Sequence, residues 1–388
     1  YNLKAVVQET GVKPDTLRAW ERRYGLPEPD RTPGGHRLYS QRDIDTLRWL
    51  LARQQEGLSI SRAVELWRTL EAEGQDPLVV MALEPSRPEP VIVGQEIDQV
   101  RRQWMDACLA FDEQKAEAIL GQAFALFPTE VVCVEILQRG IHDLGEGWYK
   151  GQVTVQQEHF ASALAMRRLE ALIAIMPPAT RSGRVLVAAA PEEVHIFSQT
   201  MLHLLLRRRG WDVRSLGGNV PAERMEESLT HVQPDLVILT AQQLFTAASL
   251  TSLAARVQEM GVAVAYGGRI FTIHPELRAR IPGHYLGDAL LDAVNQVEHL
   301  LPNPPLATPS TTPDDAHRAA LAHFRERMPA IYAALTTSMQ DTPVPSTHMT
   351  VAATHMLRDV AAALELGDLG LLAPEIEWIE GLLVHHHI

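Results

Sequence analysis

Apolar positions change their period along the chain, and each change predicts a different kind of element. Residues 97 to 177 carry them at helical spacing, with Trp104, Cys108, Leu109 and Phe111 followed by Leu120, Phe124 and Phe127, and no run here reads as a strand. That spacing predicts a helical bundle. From residue 184 short apolar runs take over, "RVLVAAA", "WDVRSLGG", "PDLVILTA" and "VAVAYGG", each followed by an amphipathic stretch. Strand–helix alternation predicts a doubly wound parallel sheet with right-handed crossovers, a Rossmann-like domain. The start of the chain reads as a short helix, a turn at Gly11 and a second helix begun by Pro14, since a first-turn proline wastes no hydrogen bond. Residues 315 to 388 read as three helices. The Pro-rich stretches "LEPSRPEPVIVG" (83–94) and "LPNPPLATPSTTPDD" (301–315) read as extended linkers, so the expected domains are 1–75, 96–178, 182–301 and 315–388. No repeat at a solenoid period stands out.

Composition narrows the class. With 388 residues, 46% hydrophobic and 21% charged, the chain has material for several globular cores. Cys108 and Cys133 are too few for a disulfide framework, which points to a reducing cytoplasm. No apolar run reaches the roughly 18 residues that span a bilayer, and "YNLKAVVQET" lacks the apolar core of a signal peptide, so no membrane partner is expected. A start on Tyr1 rather than Met suggests a trimmed N-terminus. The formal charge of -13 argues against polyanion binding by the whole surface. Residues 1–50 differ, with nine Lys/Arg against seven Asp/Glu, a net of +2 that leaves -15 for the remainder.

The second helix offers Arg18, Arg22 and Arg23 on its exposed face. In "PDRTPGGHRLYS", Pro33, Gly34 and Gly35 make a tight turn flanked by Arg31, His36, Arg37 and Tyr39, a candidate wing for phosphate contacts. Taken singly, these charges read equally as a solvated helix and a surface hairpin. Taken together, "LRAWERRYGLP", "RTPGGHRLYS" and "DIDTLRWL" resemble, nearly without gaps over residues 1–70, the MerR family of winged helix-turn-helix regulators. The resemblance implies a recognition helix at about residues 14–24 in a major groove and a wing at about 31–39 on the backbone. It further implies a homo-oligomer, dimer or tetramer, on paired half-sites of double-stranded operator DNA.

"VLVAAAPEEVHIF" places His195 in the first strand-to-helix loop, where open parallel sheets bind their ligands. Glu193 can accept a hydrogen bond from one ring nitrogen, fixing the tautomer and making the other nitrogen a better metal ligand. An acid-x-His pair also reads simply as a polar loop. The spacing resembles the cobalamin-binding domain of methionine synthase and of the CarH photoreceptors, whose loop Asp/Glu-x-His-x-x-Gly supplies the lower axial ligand to cobalt. Here the match is Glu193 and His195, with Ser198 in place of the glycine, which adds a hydroxyl where the cofactor's nucleotide tail enters. The resemblance extends to "ILTAQQL" with Thr240 and "AYGGRIF" with Gly267 and Gly268, which in the family line the slot for that tail, glycine permitting close backbone approach. Gly217 and Gly218 fit the same rim.

In "GEGWYKGQVTVQQEHFAS", Trp148 is followed ten and eleven residues later by Glu158 and His159. By itself this is a helix end, a turn and a new helix around a core Trp. It resembles the CarH motif W-x9-E-H, in which the Trp lies over the upper face of adenosylcobalamin and the Glu and His border the 5'-deoxyadenosyl group. In the light-sensing relatives a His directly follows the Trp and can ligate cobalt after photolysis. This chain has Tyr149, a poor neutral ligand with an unperturbed pKa near 10.

The tail holds His317, His323, His348, His355 and the run His385, His386, His387, with Trp378 in "PEIEWIEGLLV". Two readings stay open: a helical packing or oligomerisation domain, or a second pocket, since helical tails on some cobalamin photoreceptors resemble this segment and can hold a linear tetrapyrrole such as biliverdin. The tail has no Cys, so a bilin there would not be thioether-linked. The resemblances together imply a DNA-binding transcriptional regulator, a repressor, with adenosylcobalamin as light-sensing chromophore whose photolysis changes oligomer state and DNA affinity. Two alternatives stand beside it. One is a MerR-type regulator sensing haem, a bilin or the form of cobalamin; the other is a cobalamin-dependent enzyme, for which the sequence offers no catalytic domain beside the module.

Overall fold

A computed structural model describes residues 1, 3–31, 35, 37–55, 59–72, 76–78, 95–307, 309, 311–338 and 346–385. Pro33, Gly34, His36, the expected linker at 83–94, His386, His387 and the His348 side chain lie outside the described part. The chain divides into two compact units, Tyr1–Glu89 and Pro90–Ile388.

The first unit contains α1 (Leu3–Thr10), α2 (Pro14–Tyr24), the antiparallel pair β1 (Asp30–Arg31) and β2 (Arg37–Leu38), α3 (Gln41–Gln55) and α4 (Ile60–Ala72). Gly25, at φ 69°, closes α2 with a left-handed cap that donates to the Glu21 carbonyl. The helices bury Val6, Leu17, Trp20, Leu47, Trp49 and Trp67 in one core. The Trp49 and Trp67 rings meet edge to face at 5.2 Å.

The second unit opens with helices α5 (Gln95–Leu109), α6 (Glu113–Leu126), α7 (Arg139–Tyr149) and α8 (Val155–Ala174). This is the expected helical bundle, with one addition. Residues Val132–Gln138 form a π-helical stretch leading into α7, and its widened turn buries Val132, Cys133, Ile136 and Leu137. At Gly140 a Cβ would come within 2.7 Å of the Trp104 ring, so α7 lies directly against α5.

A five-stranded parallel sheet follows, ordered β4–β3–β5–β6–β7. Strands β3 (Arg184–Ala189), β4 (Asp212–Ser215), β5 (Leu236–Thr240) and β6 (Ala263–Gly267) are the four predicted runs. The edge strand β7 (His284–Tyr285) is too short to show as an apolar run. Alternate residues serve opposite faces, as the pleat requires. Val185, Val187, Leu236 and Ile238 share a core with α9 (Phe197–Arg208), α12 (Leu290–Leu300) and the helical bundle. Leu186, Ala188, Val237 and Leu239 share the other with α10 (Met225–Val232) and α11 (Leu244–Glu259). Helices on both faces make the sheet doubly wound and Rossmann-like.

The tail forms α13 (Asp315–Ser338), α14 (Ser346–Leu366) and α15 (Ala373–His385). Ala362, Ala363, Leu366 and Leu371 are buried in the α10–α11 side core, so this segment packs as part of the second unit. Among the described residues, no helix is long and apolar enough to cross a membrane.

Candidate functional site

The loop between β3 and α9 is built around a buried carboxylate. Glu193 is fully buried and accepts four hydrogen bonds: from the His195 backbone N–H at 2.8 Å, and from His195 Nδ1, the Gln242 backbone N–H and Thr246 Oγ1 at 2.7 Å each. Burial alone would raise its pKa, but these donors hold the carboxyl below its usual range. The His195 ring is raised above its ordinary value, first by the hydrogen bond to Glu193, then against burial by the charges of Glu193 and Glu158. With Nδ1 engaged and the side chain 57% exposed, Nε2 is the nitrogen left for a ligand.

A second polar network lies beneath. Thr240 Oγ1 donates to Gln199 Oε1 at 2.8 Å, and Gln199 Nε2 donates to the Gly217 carbonyl at 3.2 Å. Gln199 is 2% exposed and thereby ties α9 to the ends of β4 and β5. Sequence reading missed it, because Gln in "FSQTMLH" looks like helix surface; only its position one turn after His195 could have flagged it.

Glycines make the rim. Gly268, at φ 135°, sits so close to Ala241 that a Cβ would fall 1.8 Å from the Ala241 carbonyl oxygen. A Cβ at Gly218 would meet Ile196 Cγ2 at 3.1 Å and the Glu193 carbonyl at 3.2 Å, whereas Gly217, at φ 80°, borders open space. Gly267 ends β6 in register with Thr240, and Ser198 stands in the first turn of α9. Beside Gly218 and Asn219 a cavity of about 540 Å³ extends toward Met225.

Across the cleft, Trp148 occupies the last turn of α7, and Gly151 at φ 67° lets the chain reverse. A capping box between Thr154 and Gln157 fixes the start of α8, which places Glu158 in its first turn. Glu158 accepts from Ser162 Oγ at 2.6 Å and pairs with His159 Nδ1 at 2.9 Å. Its charge reaches His195, whereas the His159 ring is 75% exposed. Tyr149 stacks on Trp378 of the tail at 5.7 Å, and Trp148 lies 6.4 Å from the same ring.

These residues suit a corrinoid. Among the described residues no group of three or more His, Cys, Asp or Glu gathers to hold a metal ion, and the site offers one oriented imidazole, that of His195. A lone imidazole suits a metal that brings its own remaining ligands. Gly217 leaves open space of the kind a bulky cofactor tail requires, while Gly218 and Gly268 let the neighbouring loops close in on one another beside it.

In the head, Arg22 and Arg23 are exposed on α2, and Arg18 pairs with Asp15 at 3.3 Å. Arg31 and Arg37 converge on Glu21 of α2, at 3.4 and 2.6 Å, which fastens the β1–β2 pair to that helix. Sequence reading did not foresee this acidic anchor. Tyr39 needs correction as a surface residue: it is 2% exposed and packs in the head's core beside Leu17 and Ile44. The alternation at the end of β2 turns its ring inward while Leu38 stays outside.

A helix-turn-helix head on a body pairing a helical bundle with a Rossmann-like sheet defines a class, that of B12-binding transcriptional regulators. Residues 1–70 match the MerR HTH family of regulatory proteins, and residues 100–173 and 183–293 match two B12 binding domain families. The chain is 31% identical over 289 residues to the HTH-type transcriptional repressor CarH of Myxococcus xanthus, covering 73% of this chain and 94% of that protein. It is 30% identical over 241 residues to the HTH-type transcriptional repressor CarA of the same organism, covering 61% of this chain and 75% of that one. The chain therefore belongs to the CarH family of MerR-type, B12-binding regulators. Among solved structures, the chain is similar to the monomethylamine corrinoid protein of Methanosarcina barkeri, with 52% of this chain and 99% of that one covered at 16% identity and a TM-score of 0.46.

Proposed function

We propose that the protein is a cytoplasmic transcriptional repressor that binds operator DNA through α2 and the β1–β2 wing, and adenosylcobalamin between the helical bundle and the Rossmann-like sheet. The domain divisions are those at 1–75, 96–178, 182–301 and 315–388. The observation that carries the reading is the His195–Glu193 pair, with an oriented ring on a buried carboxylate at the carboxyl end of a parallel sheet. His195 Nε2 would be the lower cobalt ligand. Thr240, Gly267, Gly268, Gly217 and Gly218 would line the tail slot, with Ser198 at its mouth. Trp148 and Glu158 would face the upper side, with His159 at its edge.

Adenosylcobalamin supplies a cobalt–carbon bond that light breaks. The protein's part is to hold the ring of His195 rigid, keep Trp148 on a helix whose end can shift, and pass that shift to oligomer state and hence to DNA affinity. Tyr149 separates this chain from relatives with a second His: it stacks on Trp378 instead of presenting an imidazole. The lit state then rests on loss of the upper group and not on a second histidine ligand.

The test is a gel-shift titration of the cobalamin-loaded protein on its operator, in darkness and after green light, with mass measured in parallel. Tighter binding and larger mass in the dark support the switch. Identical affinity and mass in both conditions overturn the light-sensing part and leave a sensor of cobalamin itself.

A further inference from the structure

The C-terminal helices touch both walls of the cleft. On the sheet side, Arg358 of α14 forms an ion pair with Glu192, the neighbour of Glu193 in the His195 loop, and its guanidinium lies 3.6 Å from the centroid of Phe245. The helix is anchored there by Ala362 and Ala363 in the sheet's own core, and by Arg280, which donates to the Leu366 carbonyl at 2.8 Å and pairs with Asp368 at 3.1 Å. On the bundle side, α15 lays Trp378 against the end of α7, stacked on Tyr149 at 23°. The fit is close: a Cβ at Gly381 would fall 1.9 Å from the Tyr149 hydroxyl oxygen, and one at Gly151 would fall 3.0 Å from the His385 carbonyl.

We propose that α14 and α15 form a strap across the cofactor cleft, in which Arg358 positions the His195 loop and Trp378 positions the Trp148–Tyr149 end of the bundle. The proposal rests on reading the cleft as a corrinoid site. The two walls are joined in sequence by the stretch between α8 and β3, residues 175–183, and share a hydrophobic core through α9. The strap adds a tether that contacts the His195 loop on one wall and the Trp148 end of the bundle on the other, and such a restraint acts mainly on dissociation. Tyr149 thereby gains a role where light-sensing relatives place a His: its ring is the dock for the strap. Trp378 and Arg358 are positioning residues that act through Tyr149 and Glu192.

The experiment measures release of adenosylcobalamin in darkness, after dilution, from the intact chain and from Trp378→Ala, Trp378→Phe, Arg358→Ala, the double alanine variant and the exposed control Glu377→Ala. An aromatic contact of ordinary strength predicts about three- to tenfold faster release from Trp378→Ala. Arg358→Ala shows a similar rise, Trp378→Phe restores slow release, Glu377→Ala leaves it unchanged, and the double variant is no faster than the faster single one, because either cut opens the same tether. Unchanged release from Trp378→Ala, or effects that multiply in the double variant, overturns the strap. A wild-type chain that binds no corrinoid defeats the cofactor reading instead. The strap is then judged on the free protein by hydrogen exchange: Arg358→Ala must speed exchange at residues 148–153 on the opposite wall, and an effect confined to the loop at 190–196 overturns it.

Discussion

Replacing Glu193 by Gln removes one charge and two acceptor positions from a fully buried site that receives four hydrogen bonds. The amide oxygen can keep two of the donors and the amide NH2 can donate to the Thr246 hydroxyl, whose own proton turns to the Gln243 carbonyl at 2.9 Å, but the Gln242 N–H is left facing a donor and the charge is gone. Hydrogen bonds to a charged group contribute about 1.5–3 kcal/mol each, and relaxation of the exposed loop recovers part of the loss, so the expected local cost is about 2–4 kcal/mol. The chain has more than one domain, which makes a single unfolding transition a poor readout. Native-state hydrogen exchange is better suited, because the backbone N–H groups of His195 and Gln242 both donate to this carboxylate. Their protection should fall by about 30- to 1,000-fold, and corrinoid affinity by about 10- to 100-fold, the usual cost of losing the partner of a ligating His. The pH dependence has a definite sign. A carboxyl held below the usual carboxylate range contributes stability above that range and loses it as pH falls through the lower native value, and Glu193→Gln removes this acid-side loss. Protection within threefold of wild type at both amides would refute the role of Glu193 as the hub of the loop.

Three further outcomes follow from the same structure. Gly268→Ala forces a Cβ onto the Ala241 carbonyl at a φ that side chains rarely adopt, so corrinoid binding measured by absorption should be lost while the head still binds DNA. Asp359, pushed up to about 7 by burial and then by the charge of Glu375, should make the second unit less stable as pH rises from about 4 to 7, on the order of 1 kcal/mol per pH unit. Asp359→Asn should flatten that slope in the hydrogen-exchange protection of α14, and an unchanged slope would contradict the assignment. In the head, Arg22→Ala should lower the salt slope of DNA binding by about 1 without changing hydrogen-exchange protection in α2, whereas Arg37→Ala, which also cuts the Glu21 anchor, should lower both.

The sequence carried much of this arrangement and missed some of it for identifiable reasons. Apolar runs located β3, β5 and β6 because each is buried on both faces, β4 showed only through buried Val213 and its neighbours, and the Glu193-x-His195 spacing marked the loop because a single residue separates the partners. Contacts between residues distant in sequence were invisible: Glu193 with Thr246, Thr240 with Gln199, Glu21 with Arg37, and above all Tyr149 with Trp378. The π-helical stretch at 132–138 has the same apolar content as an α-helix, so composition could not announce it. Tyr39 read as a surface residue because it lies in the basic wing segment, yet alternation turns it away from the exposed Leu38 beside it and into the head's core.

The most direct test is an absorption titration of the intact chain with adenosylcobalamin in darkness, for wild type and for His195→Ala. Ligation through Nε2 predicts that wild type binds with the spectral shift of a cobalt-bound imidazole, and that His195→Ala loses the shift and binds at least about tenfold more weakly. An identical spectrum and affinity in the variant, or a wild-type chain that takes up no corrinoid, would contradict the account of the cleft.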